Sequence, residues 1–138
     1  MSLIIDTSDL IGKPFVWGGR GPDGYDCFGI CKEVASRADI AYPDVPVNMR
    51  NEDSVGDVFS DVIDGLNEGS GQWRKLEVIG LPQPLVTILM QIHDRWHMGM
   101  TLSKYGHFIH CVARHKVNIT TISNPLWSGT IKGYYVYE

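Results

Sequence analysis

A chain of 138 residues with a net charge of -4, 43% hydrophobic residues and three cysteines fits one domain, residues 1–138, large enough to bury a core without disulfides. Three thiols cannot all pair, no apolar stretch approaches the roughly 20 residues a membrane-spanning helix needs, and the acidic balance offers no basic face for nucleic acid. The start, Met1-Ser2-Leu3-Ile4-Ile5-Asp6, lacks the basic, apolar and cleavage regions of a signal peptide, so the expectation is synthesis in a cytoplasm without secretory export.

In chain order, Ile4 to Leu10 reads as a short helix ahead of a Gly-Lys-Pro break. Cys27 to Asp39 reads as the main helix, because Ile30, Cys31, Val34 and Ala38 are spaced to bury one face. Tyr42-Pro43-Asp44-Val45-Pro46 ends it. Val55 to Leu66 has the apolar spacing of a second amphipathic helix, with the acidic run Glu52 to Asp64 as its solvated face. Trp73 to Ile79 reads as an edge strand. Val86 to Ile92, Met98 to Leu102, Phe108 to Ala113, Val117 to Ile122 and Lys132 to Tyr137 then read as an antiparallel meander. Helices first and a sheet afterwards give an α+β class, N-terminal helices on an antiparallel sheet of about five to six strands.

The chemistry concentrates in Gly12 to Ile30, where Gly18, Gly19, Gly21, Gly24 and Gly29 surround Cys27 at the start of the main helix. Glycine at that density points to close backbone approach to a ligand. The helix terminus favours the thiolate, so the Cys27 pKa is expected to fall and its alkylation near pH 6 to outpace that of Cys31 or Cys111. A thiolate nucleophile needs a base, and the five histidines lie between His93 and His115. His97 and His110 fall on two runs joined by the Ser103-Lys104-Tyr105-Gly106 turn, a β-hairpin that sets them roughly opposite each other. Cys31 and Cys111 read as core, and His107 and His115 as surface. His93 and His97 have the i, i+4 spacing of a helical zinc chelate, but no Glu follows His93, so no metal is expected. Trp17 reads as packing its loop, while Trp96 either walls the cleft or fills core.

Three blocks in this order resemble the NlpC/P60 family of papain-like cysteine peptidases. Pro14-Phe15-Val16-Trp17-Gly18-Gly19 with Tyr25-Asp26-Cys27-Phe28-Gly29-Ile30 resembles the nucleophile block, PYxWGG and DCSGL. His97-Met98-Gly99-Met100 resembles the HVGIY strand, and Phe108-Ile109-His110-Cys111 the F-[IV]-H-A strand. The resemblance implies the papain-like NlpC/P60 fold, with Cys27 as nucleophile, His97 as general base and His110 orienting it. It further implies substrate contacts from Asp26, which would take the free amine of a stem peptide, and from Phe15, Trp17, Phe28 and Trp96, without cofactor.

A narrower resemblance, carried by Phe28 and the Pro125-Leu126-Trp127 segment, is to short members encoded by tailed phages and prophages. It implies a protein made in the host cytoplasm and carried on the virion tail, with peptidoglycan stem peptides as substrate and other tail-tip proteins as partners. The expected reaction is hydrolysis of the γ-D-glutamyl-diamino acid bond. A catalytically silent tail-tip component is the alternative, and an amidase or acyltransferase on the same Cys-His core a third. Three positions depart from the family: Phe15 replaces a tyrosine, Phe28 a serine, and Gln83-Pro84-Leu85-Val86 the usual Pro-Gly-Asp turn.

Overall fold

The computed structural model describes residues 5–40, 73–77, 83–92 and 95–137. In chain order these form helix α1 (Cys27–Arg37), strands β1 (Trp73–Leu76), β2 (Thr87–Ile92), β3 (Arg95–Thr101), β4 (His107–His110) and β5 (Asn118–Thr121), a short helix α2 (Pro125–Ser128) and strand β6 (Ile131–Tyr137). The expected helix Val55 to Leu66, its acidic face, the Tyr42 to Pro46 stop and His93 lie outside the described residues.

α1 begins where Asp26, in extended backbone, accepts the Gly29 N–H through its side chain at 2.6 Å. It ends at Arg37 rather than Asp39. The Ala38 N–H closes onto Ala35, and Asp39 turns into the left-handed region at φ 60. Of the short helix expected over Ile4 to Leu10, residues 5–10 are described, and they form bends and turns instead. Asp6 Oδ1 takes both the backbone N–H and the hydroxyl of Ser8, at 3.0 and 2.7 Å, and this local bonding outcompetes a helical ladder.

The strands make one antiparallel sheet in the order β1-β6-β2-β3-β4-β5, with β1 at an edge as expected. The meander holds from β2 to β5 and then breaks. After β5 the chain crosses one sheet face through α2, and β6 enters between β1 and β2. That insertion pairs the β2 edge that a simple meander would leave open.

Side chains alternate between two faces. On one, Leu89, Met98, Met100, Ile109 and Cys111 pack with Ile30, Cys31, Val34 and Ala35 of α1 in a single buried cluster. Cys31 and Cys111 are core there, as expected. On the other, Ile88, Met90 and Phe108 are buried beneath Ile122, Trp127, Ile131 and Tyr134. Gly99 belongs to this second face, opposite Ile88, and a Cβ there would lie 2.7 Å from the Phe108 ring. The ring therefore fills the space that glycine leaves over the strand.

The turn into β2 is held by Thr101. Its hydroxyl donates to the Gln83 carbonyl at 2.6 Å and accepts the Val86 N–H at 2.8 Å, while the Leu85 N–H donates to its carbonyl at 2.8 Å. Leu85 is thereby kept at φ 63, a left-handed conformation that suits the glycine of the family pattern better than a side chain.

Candidate active site

The loop before α1 folds against itself. The Val16 N–H donates to Tyr25 and the Tyr25 N–H to Pro14, each at 3.1 Å, and the Asp26 N–H donates to Gly19 at 3.3 Å. A Cβ on Gly29 would collide with the Gly19 carbonyl oxygen, and one on Gly19 with the carbonyls of Gly24 and Val16. Gly19 and Gly29 thus allow backbone to pack against backbone within the loop, while Gly21 and Gly24 make room for the Tyr25 and Val16 side chains.

Asp26 is 3% exposed and fully engaged. Besides capping α1, its carboxyl accepts the Gly18 N–H at 3.0 Å and pairs with the Arg20 guanidinium at 2.8 Å. This geometry makes Asp26 an organiser of the loop. Phe28 is equally closed at 3% exposure, with the Arg20 guanidinium 5.2 Å above its ring. Phe15 and Trp17 stack edge to face at 4.7 Å, and Trp17 remains 39% exposed on the loop surface. Trp96 packs, half-buried, against the α1 core.

Cys27 sits at the first position of α1 and is 4% exposed. Its surroundings follow from the strand pattern. The Thr101 N–H donates toward β2, to Val86, and the Leu102 N–H toward β4, to His107, so alternation aims the Met98 N–H at the β4 side as well. There β3 and β4 pair only at Met100 with Ile109 and Thr101 with Phe108. Beside that pairing, the backbone groups of Met98 and Phe28 act to lower the pKa of the Cys27 thiol.

Those groups favour a thiolate, but burial and the neighbouring Asp26 charge outweigh them and push the thiol up to about 12. The expectation of a lowered pKa, and of fast alkylation near pH 6, is thus corrected: a helix terminus cannot offset the loss of water around sulfur.

His97 and His110 lie on the other face of the sheet, with Met90 and Phe108. Extending the pairing of Met100 with Ile109 by one residue sets Gly99, not His97, opposite His110. The two are therefore diagonal neighbours rather than opposite partners, joined through His97 Nε2 and His110 Nδ1 at 2.9 Å. Burial holds His97 down to about 3, helped by the His110 charge, and holds His110 down to about 4 against the raising effect of Asn118. Both rings are neutral near pH 7.

Two members of this constellation escaped the sequence. Asn118 is the direct cross-strand partner of His110, and its Oδ1 lies 3.2 Å from His110 Nε2. Strand register between β4 and β5 carried that signal. Trp127 of α2 stands edge-on to the His110 ring at 4.8 Å and tilted over His97 at 5.9 Å. Only the crossing path of the chain brings it there.

A model of the NlpC/P60 family matches residues 12–135. The chain is 38% identical over 42 residues to the probable endopeptidase p60 of Listeria innocua, and 39% over 41 residues to that of Listeria monocytogenes; each match is 30% of this chain, and 9% and 8% of those proteins. Among solved structures it resembles NlpC2 of Trichomonas vaginalis at a TM-score of 0.63 and 22% identity, over 95% of this chain and 44% of that one. It also resembles an NLP/P60 protein similar to a lipoprotein from Staphylococcus aureus, at 0.56 and 18%, over 92% of this chain and 37% of the other. The chain thus spans less than half the length of each of these relatives.

Proposed function

Because the chain belongs to the NlpC/P60 family, we infer that it is a cysteine peptidase that hydrolyses amide bonds of peptidoglycan stem peptides. Cys27 is the nucleophile, His97 the general base and His110 its orienting partner. One observation supports the assignment: His97 and His110 are bonded at 2.9 Å, and Cys27 shares a buried cluster with Met98, the residue after His97.

The resting thiol and imidazole are both neutral, so the proton moves as sulfur attacks. The Cys27 S–H proton passes to His97 Nδ1, the ring nitrogen that His110 does not use, and sulfur bonds the scissile carbonyl carbon. The Met98 N–H stabilises charge on sulfur during that transfer. Gly29 and Ile30 direct their N–H groups to Asp26, and Phe28 faces the sulfur. The Cys27 N–H is then the donor for the oxyanion, a contact typically worth about a hundredfold to a thousandfold. Protonated His97 delivers its proton to the leaving amine, and water, activated by the same ring, releases the acid and restores the thiol.

The favoured bond is γ-D-glutamyl to diamino acid, and the favoured setting a phage tail made in a host cytoplasm; both rest on the resemblance to short phage-encoded members. Mass spectrometry of diaminopimelate-type muropeptides incubated with wild type and with Cys27→Ala tests the activity. Fragments from the wild type alone are expected, and their masses identify the bond. Mass spectrometry of purified virions tests the tail.

A catalytically silent tail-tip component is the second reading, favoured by the burial of the thiol at 4% exposure. Absence of fragments from folded protein, with Cys27 resistant to iodoacetamide at pH 8, would select it.

A further inference from the structure

The geometry points to Asn118 as a positioning residue that sets the tautomers of both His110 and His97. This rests on the peptidase reading for its purpose, although not for its geometry.

The argument starts outside the histidines. Asn118 Nδ2 donates to the Lys116 carbonyl at 3.0 Å, and a carbonyl can only accept. The amide is therefore oriented with Oδ1 toward His110; the flipped amide would set its oxygen against the Lys116 oxygen. Oδ1 is itself an acceptor, so His110 Nε2, at 3.2 Å, carries the proton. In a neutral ring that leaves His110 Nδ1 as an acceptor. The 2.9 Å bond then requires His97 Nε2 to be the donor, which leaves His97 Nδ1 unprotonated, the form a general base needs.

Two nitrogens bonded at this distance share one proton, so at least one ring is neutral while the bond persists. Burial of both rings supports neutrality of the pair. Each link hands one constraint to the next. A backbone carbonyl three links away thus decides which nitrogen of His97 is basic.

Asn118 is exposed and sits at the first position of β5, so replacing it removes the acceptor without emptying the core. Orienting partners of this kind are typically worth about tenfold to a hundredfold in activity. The test is imidazole ¹⁵N NMR at pH 7 on the labelled full chain, comparing wild type, Asn118→Leu and Asn118→Asp, with circular dichroism to show that each is folded.

Wild type is expected to show Nε2–H on both rings. Asn118→Leu should move His97 toward Nδ1–H, and Asn118→Asp, which gives up the donation to Lys116 but turns an acceptor oxygen to His110 Nε2–H, should restore Nε2–H. In muropeptide hydrolysis, Asn118→Leu should lower kcat at least about tenfold with little change in KM, and Asn118→Asp should recover most of it. A folded Asn118→Leu in which His97 keeps Nε2–H overturns the proposal. Wild-type tautomers that respond as expected, in a protein that cuts no peptide, support the relay and defeat the peptidase reading alone.

Discussion

The two halves of the site are built by different physics. Cys27 belongs to the α1 face, where helix and sheet interdigitate through Ile30, Val34, Leu89, Met98 and Met100, all at most 2% exposed. His97 and His110 belong to the opposite face, whose buried apolar residues are Ile88, Met90 and Phe108 beneath an α2 with no fully buried residue. Volume positions the thiol; hydrogen bonds and one aromatic edge position the bases. The cysteine side should therefore answer chiefly to changes of size, and the histidine side to changes of donor and acceptor.

The sharpest way to break that contrast is chemical. His97→Ala should reduce muropeptide turnover about a hundredfold to ten-thousandfold, the usual worth of a positioned general base, while His110→Ala costs less because the base itself survives. Equal losses in steady-state assays would mean that the pair titrates and acts as a unit.

Next in size is packing on the thin face. Phe108→Ala empties the contact over Gly99 and should destabilise by about 3–5 kcal/mol in urea melts. A loss below about 1 kcal/mol would show that α2 can collapse onto the sheet, and the thin face would then be adaptable rather than positioned.

Acid sharpens the comparison further. His97 and His110 are buried neutral, held at about 3 and about 4 against an ordinary 6.5. The unfolded chain therefore binds more protons as pH drops below about 6.5. The stability these rings contribute is complete above that value and is lost as pH falls through about 4 and then 3, by up to about 1.4 kcal/mol per pH unit for each ring. Melting temperatures of wild type between pH 7 and pH 4 should fall more steeply than those of His97→Asn.

The smallest effect concerns Leu85. Replacing it with glycine should relieve its left-handed backbone by about 1 kcal/mol, partly offset by lost packing against the core. Urea midpoints that drop by more than that would mean that packing dominates at this turn.

The sequence made the cysteine side legible because its signals are local: a glycine-rich loop, a capping Asp26 and a helical stripe follow each other in one stretch. It placed α1 and all the strands of the sheet within a few residues, and identified both histidines. It missed what depends on pairing across distance. The diagonal offset of His97 and His110, the opposition of Asn118 to His110 and the insertion of β6 each require knowing which strand lies beside which. The Cys27 pKa failed for a related reason, since the helix terminus is visible in the chain and the burial of sulfur is not. The helix expected over Ile4 to Leu10 is not formed by residues 5–10, because the Asp6–Ser8 turn competes with it.

The place of β6 also bears on biosynthesis. It is the latest of the described strands in the chain, yet it lies inside the sheet, bonded to β1 on one side and β2 on the other. During N-to-C synthesis the histidine-bearing strands emerge while one edge of β2 awaits β6, and β1 has no strand neighbour among the described residues until residues 131–137 leave the ribosome. A nascent chain arrested before β6 would carry every proposed reacting group and still lack a closed sheet. Closure of the sheet that carries the site is thereby tied to the synthesis of residues 131–137.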